Sequence, residues 1–142
     1  MQKSVVLRIA SIIMMVAGII GVVSNLFSGI AVNMATSNAL GKIGAVVVGF
    51  NPGLFWFGII IATIASVGEI VAGVMGKNNN ADPAKAKTLM MIGAAIAVLA
   101  LISNILVISA YKFEFSSFIS ILSGVGVPVF FTIAAFQVSK DA

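Results

Sequence analysis

Apolar residues run along this chain in long blocks, and charged side chains mark the ends of the blocks without entering them. No charged residue falls between Arg8 and Lys42, from Ile43 to Gly68, from Thr88 to Tyr111, or from Phe115 to Ser139. A hydrocarbon core about 30 Å thick takes about 20 helical residues, so each block is long enough to hold a spanning helix. The pattern predicts helices near residues 9–32, 54–76, 84–110 and 117–139. That is an all-α integral membrane protein, a four-transmembrane-helix bundle forming one domain over residues 1–142. Asn51 before Pro52 and Asp82 before Pro83 each set a capping side chain ahead of a proline at the first helical position, where its missing N–H does no harm. Gly76 and the run Asn78, Asn79, Asn80 read as the end of the second helix and a solvated turn. Lys3, Arg8 and the Gly29-Ile30-Ala31 segment also fit a cleaved signal peptide, but the apolar run exceeds a signal core and a retained helix is expected.

Small residues recur four apart within these spans. Lipid tails are as apolar as Leu, so helices in a bilayer associate through close contact and interhelical hydrogen bonds, which such stripes favour. The first helix carries Ala17, Gly21, Asn25 and Gly29, and the second Gly58, Ala62 and Ser66, continued by Glu69, Gly73 and Gly76. The third carries Gly93, Ala97, Ala100 and Asn104, and the fourth Ser120, Gly124, Pro128 and Thr132. Tight packing is expected, within one bundle or between copies. A second set on the first helix, Gly18, Ser24 and Ser28, either points beyond one copy or reflects how common Gly and Ser are in membrane helices. Pro128 should kink the fourth helix, its freed carbonyl being met by a hydroxyl or water.

Composition narrows the function. Only 8% of the residues are charged and 61% are hydrophobic, whereas a soluble domain carries roughly a quarter charged residues to cover its surface. His and Cys are absent, which removes the usual general base, the commonest metal ligand and all thiol chemistry. No catalytic residue, metal or cofactor is expected. An enzyme acting on lipids has one membrane acid and no acidic pair to work with.

The basic residues give an orientation. Lys3, Arg8, Lys77, Lys85, Lys87 and Lys140 fall on one side and Lys42 and Lys112 on the other, so both termini are expected in the cytoplasm, in a prokaryotic cytoplasmic membrane. The net charge of +4 then serves to orient helices and attract anionic lipid headgroups, not to bind nucleic acid. Phe55, Trp56, Phe57, Tyr111 and Phe113 stand where an aromatic belt is expected at the outer interface. With Arg8 laid on Lys87, Ser24-Asn25-Leu26 matches Ser103-Asn104-Ile105. The match suggests two parallel, pseudo-repeated hairpins related by an axis along the membrane normal, although chance similarity between apolar segments gives the same match.

Polar residues inside the spans are the candidate site. Glu69 lies seven residues from Gly76, roughly 10 Å inside the boundary at 1.5 Å per residue. A charge at that depth costs several kcal/mol, so Glu69 should be protonated, paired or facing a wet cavity, with Arg8, Ser11, Thr132 and Gln137 as candidate partners. Two readings stand: a carboxyl tying helices together, or a proton or cation site on a path. Asn25 and Asn104 should form a hydrogen-bonded layer between the first and third helices or line a polar constriction. The outer loop 33–53 turns apolar over Gly44 to Phe50 and should lie in the interface, fold onto the bundle or meet another chain. The expected function is a non-catalytic tetraspan acting as a homo-oligomer or as a subunit of a larger membrane complex. The alternative is an oligomeric channel or transporter for a proton, ion or small solute using Glu69 and the Asn25/Asn104 layer.

Overall fold

The computed structural model describes the backbone of residues 2–47, 49–110 and 115–140, and the side chains of these apart from 45–47, 115–121 and 123. The described residues form five helices and no strand: α1 Lys3–Thr36, α2 Ala39–Val47, α3 Pro52–Asn78, α4 Pro83–Ala110 and α5 Phe115–Ser139. Three of them, α1, α3 and α4, are long and apolar enough to cross a membrane, and Gly124–Ser139 within α5 is a shorter apolar stretch. Together they suggest an integral membrane protein.

Both capped prolines behave as the sequence implies. The Leu54 N–H donates to Asn51 Oδ1 at 3.2 Å, and the Ala84 and Lys85 N–H groups donate to Asp82 Oδ1 at 3.0 and 3.3 Å. Other boundaries differ. The first helix runs over 3–36 where 9–32 was expected, because apolar block ends mark the edge of a hydrocarbon layer, and a helix continues past them until something stops it. Gly76 does not end the second helix. It sits inside α3 with no room for a Cβ beside Ser11 and Phe131, so this glycine serves packing. The helix stops after Asn78, where the Asn79 backbone and side-chain N–H groups both donate to the Met75 carbonyl, at 3.0 and 2.8 Å.

The loop between the first two expected spans contains a helix that the block pattern did not reveal. Its start, α2, is capped by Asn38, whose Oδ1 accepts from the Gly41 N–H at 2.6 Å. A Cβ on Gly41 would run into the Ala35 carbonyl, so the glycine lets α2 fold back tightly on the end of α1, its one substantial neighbour among the described residues. Gly49 takes a positive φ of 74°, a conformation that suits a residue without Cβ, in the turn that leads to α3.

The four long helices close a ring in which α1 touches α3, α3 touches α4, α4 touches α5 and α5 returns to α1. Contacts at the glycines give the direction of each pair. A Cβ on Gly18 would lie 2.8 Å from Ile70 Cγ1, one on Gly73 2.8 Å from Met15 Cβ, and one on Gly29 3.3 Å from the Trp56 ring. Rising numbers on α1 meet falling numbers on α3, so the pair is antiparallel. Gly58 against Val107 with Gly68 against Ile96, and Gly93 against Phe131 with Gly124 against Asn104, make the next two pairs antiparallel as well. Gly18, read from the sequence as pointing beyond one copy, therefore faces α3, while Ser24 and Ser28 are exposed.

This up-and-down order gathers Lys3, Arg8, Lys77, Lys85, Lys87 and Lys140 at one end, the basic end. Phe50, Phe55 and Trp56 cluster at the other, the aromatic end, with ring centroids 5.6 and 5.3 Å apart. Tyr111, Lys112 and Phe113 lie outside the described residues, as does the side chain of Ser120. The outward faces carry large apolar side chains such as Leu26, Phe27, Phe57 and Met91, each more than half exposed, as surfaces that meet lipid tails do. Inside, Leu7, Met14, Leu89, Phe131 and Val138 belong to one continuous buried cluster that fills the basic half of the ring.

Close contact along the α1–α3 seam leads to a contrast between glycines. Gly73→Val places a side chain 2.7 Å from the Ser11 carbonyl and is expected to destabilise the bundle by about 1–3 kcal/mol. Gly126→Ala, with nothing within 4 Å of its Cβ, should stabilise α5 by about 0.5–1 kcal/mol through helix propensity. Unfolding titrations in mixed micelles measure both, and equal effects at the two glycines would remove the seam from the account.

Candidate functional site

Two polar features lie within the ring: a cleft in its aromatic half, and a buried acid near its middle. The cleft holds about 420 Å³ and its described walls come from α1, α3 and α4. Toward the aromatic end it is rimmed by Val32, Phe55 and Val107, while Asn25, Ser28, Ser103 and Asn104 give its deeper part a polar lining above Ala62. The register explains this order, since α1 and α4 run in the same direction and place Asn25 and Asn104 at similar depth.

The two asparagines share the cleft, but the expected hydrogen-bonded layer between them does not form. Asn104 Nδ2 donates to the Ala100 carbonyl at 2.8 Å, and Ser103 Oγ donates to the same carbonyl at 2.9 Å. Asn25 makes no side-chain hydrogen bond among the described residues and is half-buried. The reason is topological: α1 and α4 are not among the packed neighbours in the ring, so an open volume stands where a direct bond would have to be. Asn25 also borders a shallower groove on the lipid-facing side, between α1 and α3, together with Trp56 and Thr63.

Glu69 lies on the core-facing stripe of α3, between Ser66 and Gly73, and is 7% exposed. It has no hydrogen bond and no ion pair among the described residues. Arg8 and Gln137 are exposed at the basic end. The other two candidate partners are committed elsewhere. Ser11 Oγ donates to the Leu7 carbonyl at 2.6 Å and Thr132 Oγ1 to the Pro128 carbonyl at 2.7 Å, each one turn back on its own helix. Hydroxyls in helices commonly close such bonds, and doing so removes the donors that sequence reasoning had assigned to Glu69.

Pro128 is buried inside α5, which continues through it. Its missing N–H frees the carbonyl of Gly124, and the Asn104 amide stands beside that turn, 3.0 Å from where a Gly124 Cβ would be. The packing residues Gly21, Gly29, Gly58, Gly73, Gly93 and Gly124 all face a neighbouring helix, and Ala62 and Ala97 are half-buried between them. Ser66, read from the sequence only as a packing residue, is buried with no hydrogen bond among the described residues. The signal for it was its place three residues before Glu69 on the same stripe.

Among the described residues no group of three acids, His or Cys could hold a metal ion. No family model, curated protein or solved structure matches the chain.

A carboxyl with no bond to a neighbouring helix does not hold the helices together, and since no buried side-chain oxygen among the described residues lacks a partner, the unbonded Glu69 oxygens reach open space. Glu69→Leu is therefore expected to keep or raise stability, by up to about 1 kcal/mol, since it removes a polar group from largely apolar surroundings. Unfolding in mixed micelles measures it. A fall of more than about 2 kcal/mol would mean that the carboxyl bonds a neighbouring helix.

Proposed function

We propose that the protein is a small, non-catalytic, four-span membrane protein that acts by assembly, either with copies of itself or as a subunit of a larger membrane complex. Its orientation follows the basic residues, with both termini on the cytoplasmic side of a prokaryotic cytoplasmic membrane. The observation that carries this reading is α2. Among the described residues this short helix has α1 as its one substantial neighbour, and it presents Leu40 and Ile43, 80% and 61% exposed, at the aromatic end of the bundle. Two large aliphatic side chains held out on a capped helix fit a protein neighbour that covers them, and Lys42 between them supplies a charge to select it.

The rest of the molecule is consistent with such a role. The turns between the helices are too short to form a separate binding domain, and among the described residues Leu7, Met14, Leu89 and Phe131 pack the basic half of the bundle. The assembly, not the protomer, is then the functional unit.

The test is the oligomeric state in lipid. Native mass spectrometry of the protein extracted with its membrane neighbours is expected to give an assembly, of one chain or several. The double change Leu40→Glu and Ile43→Glu is expected to break it while leaving unfolding of the bundle unchanged. A monomer in both cases would end this reading.

A further inference from the structure

Positions along α3 join the cleft to Glu69. Ala62 at the cleft floor and Glu69 are seven residues apart, about 10 Å along the helix, with Ser66 between them on the same buried stripe. Side chains on a helix tilt toward its N-terminus. The N-terminus of α3 is at the aromatic end, so the Glu69 carboxyl leans toward Ser66 and the cleft and away from the basic end.

The two directions out of Glu69 are closed unequally. Toward the aromatic end stands one layer of small residues, Gly21, Ala65, Ser66 and Ala100, before the polar lining begins. Toward the basic end the buried cluster continues for several turns, with Leu7, Leu89 and Val138 set among Ala10, Ala72, Ala86 and Ala135. The cleft itself is suited to water. It is roomy, Asn25 has no side-chain partner among the described residues, and Asn104 and Ser28 retain groups able to bond more, which are the conditions under which a cavity fills.

We propose that Glu69 is a proton-binding site loaded from the aromatic face of the membrane through this hydrated cleft and Ser66, and shut off from the basic face. A proton from cleft water joins the carboxylate oxygen, giving a neutral carboxyl and leaving hydroxide in the cleft to exchange with bulk. The ligand is a proton because a metal cation needs several oxygen ligands, and among the described residues no group of three acids could supply them, Ser66 being the polar neighbour on the same stripe. Among the described residues no other charged or titratable group lies at this level. The register sets Met14 and Gly18 of α1, Ile96 of α4, and Pro128 and Phe131 of α5 around it, and the nearest charge on α3 itself is Lys77, at the basic end. The site is separate from the α2 contact, so either proposal stands if the other fails.

The experiment uses the full chain in lipid vesicles, with orientation read from protease access to the turn at 79–82 and the pH set independently on the two sides. Dicyclohexylcarbodiimide, which reacts with protonated carboxyls, is added, and modification of the peptide containing Glu69 is followed by mass spectrometry against a Glu69→Gln control. Labelling should fall as the pH on the aromatic side rises, and pH on the basic side should leave it unmoved. Asn25→Leu with Asn104→Leu, which dries the cleft, should slow the response, and so should Ala62→Phe, which fills its floor. Labelling that follows the basic side, that follows neither side, or that the cleft variants leave unchanged would overturn the proposal.

Discussion

Two helices in a bilayer gain nothing by hiding apolar side chains from lipid, so what joins α1 to α3 has to be contact close enough to bring backbone near backbone. Gly18 and Gly73 allow it. Each would place a Cβ within 3 Å of backbone atoms on the other helix, Gly18 against Ser66 and Ile70, Gly73 against Ser11 and Met15. Because these glycines stand on both helices and at several turns, they fix the pair in one antiparallel register. The remaining geometry follows from that register: Glu69 is set at the level of Met14 and Gly18, the six basic residues gather at one end, and Trp56 lies on Gly29 at the other.

The seam also makes the bundle unequal along its length. In the basic half the four long helices meet around bulky side chains and nothing polar is needed to hold them. In the aromatic half α1 and α4 stand apart across the cleft, and their asparagines and serines line its walls. Ser11, Ser103, Asn104 and Thr132 each close a bond on a carbonyl of their own helix. These polar residues thus satisfy themselves locally, whereas among the described residues Asn25 and Ser28 in the cleft and Ser66 and Glu69 on α3 make no side-chain hydrogen bond. A molecule packed solid in one half and open as a polar cleft in the other suits assembly, since its packed half does not depend on its neighbours.

Much of the architecture was legible in the chain. Charge-free blocks located the long helices, Asn51-Pro52 and Asp82-Pro83 marked two starts, and the stripes of small residues named the contact faces. What sequence could not supply was whatever depends on a neighbour. Gly76 reads equally as a helix stop and as a packing residue, and only the arrival of Ser11 and Phe131 decides. The helix in 39–47 is apolar on too short a span to be told from an interfacial segment by pattern, and its cap, Asn38, lies in a run of polar and small residues with no other mark. Asn25 and Asn104 match in depth because their helices run the same way, yet depth says nothing about the diagonal that separates them. For Glu69, equal depth suggested Ser11 and Thr132 as partners, but a hydroxyl on a helix always has a carbonyl one turn back within reach.

The register of α1 against α3 underlies both the sealed half and the position of Glu69. Solid-state NMR of the uniformly labelled protein in lipid bilayers reads it directly, with no substitution, through carbon–carbon correlations across the seam. Cross-peaks are expected from Gly73 Cα to Met15 and from Gly18 Cα to Ile70. Absence of both, or Gly73 and Gly18 correlating with lipid acyl chains, would contradict it.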